Sequence, residues 1–315
     1  MSKTLYIPPK EISVRIVGLA SLMSLLSRTN QKPYFWHHPL GDIYDDQWWH
    51  IVAGTGDHEG QYMIQSAETN QVIYSKADDV GTMESNGDDE GVWFTFEPGT
   101  LKRANYFRLV CPATSTAMVS RTNSTPQIWN YPSDSKAFDD QYFRFLFEDM
   151  AVKSVKFDID AGVVRDSTPL VLARSQLPND TSVDQKISAS FKKAVENESS
   201  FEYALGFSVE VGTSFSCGVP MLAEGKLDVS LTTSSDFTWG KTTTETSEYS
   251  ATFEVVAPPH STVEATATLM RSEINVPFTM TLASSSTGYE VKTEGLFRGV
   301  TFYDLKCRYS EPKAK

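Results

Sequence analysis

Cysteine is scarce. The chain holds three in 315 residues, Cys111, Cys217 and Cys307, an odd and widely spaced set. That number and spacing exclude a disulfide framework and any recognisable zinc motif, so free thiols and no metal are expected. Positive charge is also short. Lys and Arg total 28 against 40 Asp and Glu, for a net charge of −12. This excludes a nucleic-acid partner, whose phosphates need a basic surface, and a polybasic patch for anionic lipid. Long apolar runs are missing too. The longest, Val17 to Leu26, is interrupted by Gly18, Ser21 and Ser24 and falls short of the roughly 20 residues of a membrane helix. The opening "MSKTLYIPPKE" has no charged-then-apolar leader pattern. The expectation is a protein made soluble, cytoplasmic or released by a non-classical route, which meets its target membrane later. No helical period is sustained, which points to an all-β chain.

What is present is repetition. "RTNQKPYFWHHP" begins at Arg28 and "RTNSTPQIWNYP" at Arg121, 93 positions on. A weaker middle copy completes the series. "VRIVGLASLMSLLSR", "YMIQSAETNQVIYSK" and "FRLVCPATSTAMVSR" align without gaps, with Ile16, Ile64 and Leu109 each twelve residues before Arg28, Lys76 and Arg121. Trp48-Trp49, Trp93-Phe94 and Tyr142-Phe143 follow in turn. Three units of about 46 residues, each of short strands split by Gly, Asn, Asp and Pro turns, predict a threefold barrel, the β-trefoil. Five of the six tryptophans precede residue 150, whereas Ser and Thr supply 41 of the last 165 residues. A boundary is therefore expected near Met150, giving domains 1–150 and 151–315.

Gln47-x-Trp49 and Gln141-x-Phe143 resemble the Gln-x-Trp signature of ricin-B-type lectin domains. The stretches "YFWHHP", "GTGDHEG", "FDDQYFRFLFEDM" and "PFTMTLASSSTGYEVKTEGLFRGV" resemble the Laetiporus-type haemolytic pore-forming lectins, over essentially the whole chain. The resemblance implies a sugar-binding β-trefoil followed by an elongated aerolysin-like module, with galactose-terminated glycans as partners.

The residues fit that chemistry on their own terms. A sugar offers an apolar C–H face and a ring of hydroxyls, so its site needs an aromatic plate and fixed polar partners. The first copy supplies Arg28, Trp36, His38, Asp45, Asp46 and Gln47; the third supplies Arg121, Trp129, Asn130, Asp139, Asp140 and Gln141. Ionised carboxylates are apt acceptors for hydroxyls. Trp49, Phe94 and Phe143 read as core. Gln47 and Gln141 are either ligand contacts or structural braces. Asn130-Tyr131 replaces His37-His38 in the third copy, which argues against a metal. In "KADDVGTMESNGDDEGVWF" the middle copy has lost the Pro…Trp loop, and Val92 replaces the Gln. Its site is expected to be dead or altered.

The second half alternates. From Lys186 onward, Ile187, Phe191, Val195, Phe201, Leu205, Phe207 and Val209 share one parity, while Lys192, Glu196, Glu198, Glu202 and Glu210 take the other; Lys193 to Ser200 reads as a turn. Strands of about 9–11 residues, apolar outward, suit a transmembrane β-hairpin. A lone hairpin in lipid leaves its edges unpaired, so copies must assemble into a ring before a barrel closes. "GVPMLAEGKLDVSL", from Gly218, resembles a strand region of aerolysins and is expected to give shape. No enzyme is expected. "GTGDHEG" misses the dinucleotide spacing and "GTSFSCG" is no nucleophile elbow, so no cofactor is implied. The expectation is a lectin that oligomerises on glycan-bearing membranes and inserts a β-barrel pore. A multivalent agglutinating lectin is the alternative, and a storage protein the weaker rival.

Overall fold

The computed structural model describes residues 5–41, 44–204, 206–209, 213–223 and 225–314. Among them every extended element is a β-strand, joined by turns and five one-turn 3-10 segments. The chain divides into two compact units that are not contiguous in sequence. One comprises Met1–Lys153, Tyr203–Thr213 and Thr281–Thr293, the other Ser154–Glu202, Ser214–Met280 and Glu294–Lys315.

The first unit carries twelve short strands in three sets of four. These are β1 (Val14–Gly18), β2 (Met23–Ser27), β3 (Phe35–Pro39) and β4 (Trp49–Ala53); β5 (Tyr62–Ser66), β6 (Val72–Lys76), β7 (Asp79–Met83) and β8 (Thr95–Pro98); and β9 (Phe107–Cys111), β10 (Thr116–Ser120), β11 (Ile128–Pro132) and β12 (Phe143–Phe147). The first and last strand of each set form a closed ring. β1 pairs with β4, β4 with β5, β8 with β9, β9 with β12 and β12 with β1, and the Tyr62↔Phe94 bridge supplies the remaining contact. Closure leaves no free sheet edge. The middle strands form hairpins, β2–β3, β6–β7 and β10–β11. This is a β-trefoil.

Its core repeats with the sequence. Ile16, Ile64 and Leu109 are fully buried at the centres of β1, β5 and β9, and Trp49, Phe94 and Phe143 are fully buried at the ring's other joints. A polar network binds the hairpins to one another in the same cyclic order. His37 Nδ1 meets Ser120 Oγ at 2.8 Å, Ser27 Oγ donates to Thr82 Oγ1 at 3.2 Å, and Asn130 Nδ2 donates to Ser75 Oγ at 2.8 Å. Two later segments complete this unit. Phe147 N donates to Ser208 O at 2.8 Å and Ser285 N to Asp149 O at 2.9 Å, while Phe207 packs 4.5 Å from Phe147 and 5.1 Å from Tyr6.

The longer strands follow: β13 (Met150–Phe157), β14 (Val163–Asn179), β15 (Gln185–Tyr203), β16 (Ser214–Ala223), β17 (Lys226–Thr238), β18 (Thr243–Ala257), β19 (Ser261–Ser284) and β20 (Glu290–Tyr309). One sheet has the order β13-β19-β20-β15-β18, with β14 also on β19. β19 alternates buried and half-buried positions over most of its 24 residues, the signature of a sheet with one packed face. Among the described residues β16 and β17 pair only with each other.

Lys193 to Ser200 is not a turn. β15 runs through it as one 19-residue strand, paired with β18 from Gln185↔Ala257 to Ser199↔Thr243. Cross-strand contacts override the local turn composition. Asn197 Nδ2 donates to Ser247 Oγ at 2.7 Å, and Lys192 Nζ lies 2.7 Å from Glu248 Oε2.

Candidate functional site: twin loop-and-turn arrangements on the trefoil

In the first and third repeats the loop after the second strand is built alike. The Arg28 backbone N–H donates to Tyr34 O at 2.9 Å and its Nε to Pro33 O at 3.1 Å; Arg121 does the same to Gln127 O at 2.9 Å and Pro126 O at 3.0 Å. Each arginine is thus laid along its own loop, its charge facing a 3-10 turn, Asp45–Gln47 in one repeat and Asp139–Gln141 in the other. Beside Asp140 these elements enclose a cleft of about 390 Å³ lined by Ala20, Arg121, Thr122, Asn123, Phe138, Asp139 and Asp140.

The two aspartates of each turn differ. Asp46 and Asp140 are partly buried, each with one carboxylate oxygen enclosed and unpartnered. Burial pushes the Asp46 carboxyl above the usual range, against the opposing pull of Arg28 and His38; burial does the same to Asp140, opposed by Arg121. Asp139 is instead clasped from outside the turn. Lys102 Nζ donates to its Oδ2 at 3.0 Å and Arg103 Nε to its Oδ1 at 2.7 Å, which together hold this carboxyl below its ordinary value. Arg103 also lies over the Tyr142 ring at 4.6 Å.

The remaining site residues fall into two groups. Trp36 and Trp129 are half-buried at corresponding places, and Trp36 meets the His37 ring edge-on at 5.3 Å. His38 is half-buried and edge-on to Tyr44 at 5.3 Å. Gln47, Gln141 and Asn130 face inward, at 0, 1 and 3% exposure. Asn130 is spent on Ser75 Oγ and Lys76 O, which makes it a brace between repeats. Sequence reasoning missed Tyr44 and Phe138, each 49% exposed and each directly before the Asp-Asp pair. The aromatic at that place in both copies was the available signal.

The middle repeat closes itself. Asp89 stands where the others have Tyr44 and Phe138, and Gly91 where they have Asp46 and Asp140. Lys76 Nζ lies 2.6 Å from Asp89 Oδ2, and the Gly91 N–H donates to Asp89 Oδ1 at 2.9 Å. β6 and β7 are joined by residues 77 and 78 alone, so no loop stands beside that turn.

In the second unit the apolar side of β15 is engaged. Ile187 and Phe191 pack on a core of Leu177, Phe253, Ala265 and Ala267, and Val195 is buried. Phe201 lies among Phe157, Phe215, Phe237, Phe278 and Phe297. Phe207 and Val209 are buried in the first unit. Leu205 and Glu210 lie outside the described residues. The β16–β17 hairpin holds Phe215 and Phe237 opposite each other near its root. Farther out, Val219, Pro220, Met221 and Leu222 border a cavity of about 460 Å³ that also touches Asn197, Tyr249 and Phe302. Among the described residues no group of acidic, His and Cys side chains could hold a metal, and no helix is long and apolar enough to cross a membrane.

Natterin-2 of Thalassophryne nattereri is 24% identical over 155 residues, covering 48% of this chain and 41% of its own length. The chain therefore spans less than half of that relative. Of solved structures, the apo BEL β-trefoil is 32% identical and covers 45% of this chain and 97% of its own, at a TM-score of 0.42. The lamprey immune protein is 13% identical and covers 99% and 96%, at a TM-score of 0.45. Residues 138–307, more than half of the chain, match the family model of the epsilon and mosquitocidal toxins. The chain belongs to the Clostridium epsilon toxin ETX/Bacillus mosquitocidal toxin MTX2 family.

Proposed function

We propose that the chain is a haemolytic lectin of the Laetiporus type, which binds galactose-terminated or N-acetyllactosamine glycans through two of its three trefoil repeats and then perforates the underlying membrane as an oligomer. The observation that carries the sugar reading is the loop-and-turn arrangement shared by repeats one and three, which in repeat three encloses a cleft. Arg28 with Asp46 and Tyr44, and Arg121 with Asp140 and Phe138, bring together a fixed cation, a carboxylate and a half-exposed aromatic, in repeat three around an open space. Trp36 and Trp129 are half-buried at the corresponding place in each of these repeats. Asn130, Gln47 and Gln141 support them from inside.

For perforation the β16–β17 hairpin is the better inserting segment than β15. β15 pairs with both β20 and β18, so moving it breaks two ladders, whereas among the described residues the hairpin pairs with nothing else. Its strands of 10 and 13 residues meet the length of a membrane β-strand. On β17, Leu227, Val229 and Phe237 alternate with Lys226, Asp228 and Asp236.

The test is dye release from vesicles bearing a galactosyl lipid, beside agglutination of galactoside-coated beads. Release from the galactosyl vesicles alone supports the reading. Agglutination without release identifies a multivalent lectin that only oligomerises.

A further inference from the structure

Leu22 and Leu101 break the preferences of their own turns. Both have left-handed backbones, with φ of 55° and 53°, a conformation that crowds a β-carbon against the following carbonyl. At corresponding positions the chain uses smaller or better-suited residues, Ser115 (φ 53°) among them. Asn70 (φ 58°) matches Leu22 in the gapless alignment of the repeats, and Gly56 (φ 62°) matches Leu101. The Gly56 and Leu101 turns are otherwise the same, closed by Gly54 N→Gln61 O and Gly99 N→Tyr106 O, both 2.8 Å. The leucines gain nothing inside the molecule, being 65 and 92% exposed. Strain kept without internal burial points outward, to something the side chains meet.

Both flank the repeat-three cleft. Ala20, in the turn of Leu22, lines it, and Lys102 and Arg103, next to Leu101, hold Asp139 at its rim. Phe138, half-exposed, is part of its wall. We propose that Leu22 and Leu101 form an apolar collar that beds into a lipid bilayer around this cleft, so that a membrane-borne sugar is read at headgroup level. The collar rests on the glycan reading of the cleft given above. Lipid is the occupant because sugar C–H faces stack on aromatic plates, whereas aliphatic side chains enter the acyl boundary. The cations beside Leu101 are already paired with Asp139, so neutral lipid suffices.

The double variant Leu22→Asn with Leu101→Gly tests this, since both new residues accept a left-handed backbone and the unfolding midpoint should not fall. Binding is measured to galactoside-coupled agarose, to phosphatidylcholine vesicles carrying a galactosyl lipid, and to plain phosphatidylcholine vesicles at high lipid. The variant should bind agarose like wild type, galactosyl vesicles roughly tenfold or more weakly, and plain vesicles not at all. Equal weakening on agarose and galactosyl vesicles overturns the collar and makes the leucines a sugar subsite; unchanged vesicle binding overturns it as well. Wild type that ignores agarose counts against the glycan reading instead. Plain vesicles then decide: a difference between wild type and variant upholds the collar, and equal binding overturns it.

Discussion

His37 and Asn130 occupy corresponding positions in the first and third repeats, and each ties its hairpin to a serine of another repeat, Ser120 for His37 and Ser75 for Asn130. The two differ in chemistry but share a task. Position within the barrel, not residue type, decides the role.

Asn130→Ala should therefore act on stability and not on recognition. Leaving Ser75 Oγ and Lys76 O without their donor is expected to cost about 1–3 kcal/mol, read as a lower midpoint in denaturant. Galactoside affinity should stay within about twofold of wild type in the same preparation, because repeat one is untouched and the repeat-three cleft lacks this side chain. A large loss of affinity at unchanged stability would make Asn130 a ligand contact.

Asp46→Asn with Asp140→Asn should give the reverse. Burial raises both carboxyls, so their stabilising contribution is complete below the unfolded value and is lost as pH rises through the folded one. At neutral pH the double amide should be no less stable than wild type, yet galactoside binding on a titration calorimeter should vanish. Wild-type affinity should decline on acidification at a higher pH than an ordinary carboxylate would give.

Histidine works with the opposite sign. Burial lowers His37 and, likewise, His50, each below the ordinary value of 6.5. Their stabilising contribution is present above the unfolded value and lost as pH falls through the folded ones. The unfolding midpoint should drop as pH is lowered from about 6.5, and His37→Asn, which installs the third repeat's residue, should flatten that drop. A pH profile identical to wild type would show that His37 titrates alike in the folded and unfolded chains.

Crystals soaked in lactose or N-acetyllactosamine should show sugar at repeats one and three and none beside Asp89, where the Lys76 ion pair fills the place of the aromatic wall. Density there would reverse the ranking of the repeats.

Val229→Arg should abolish erythrocyte lysis while sparing bead agglutination, since a cation on a lipid-facing strand position costs about 2–4 kcal/mol per copy near the bilayer midplane. Thr238→Arg, on the opposite parity at the strand end, should retain lysis. The reverse ranking would return the membrane role to β15. With Asp228 and Asp236 outweighing Lys226 on the polar face, planar-bilayer currents should favour cations.

The trefoil was legible from residues because its repeat is a covalent pattern. Ile16, Ile64 and Leu109 mark the same place in three strands, and only a threefold ring buries all of them alike. The Asp-Asp-Gln turns and the twin Arg-Thr-Asn loops were legible for the same reason, and the folded chain builds them alike. What the residue pattern could not assign was direction. Asn130 and Trp129 are neighbours in one strand, yet one is enclosed and the other half-buried, a difference set by which repeat lies alongside. Nor could alternation distinguish a buried strand from an inserting one. β15 and β17 both read apolar-polar, because a packed sheet face and a lipid-facing strand impose the same period of two. Among the described residues β15 is paired on both edges and β17 with β16 alone, a difference that alternation does not carry, because pairing between distant strands is decided by the folded sheet.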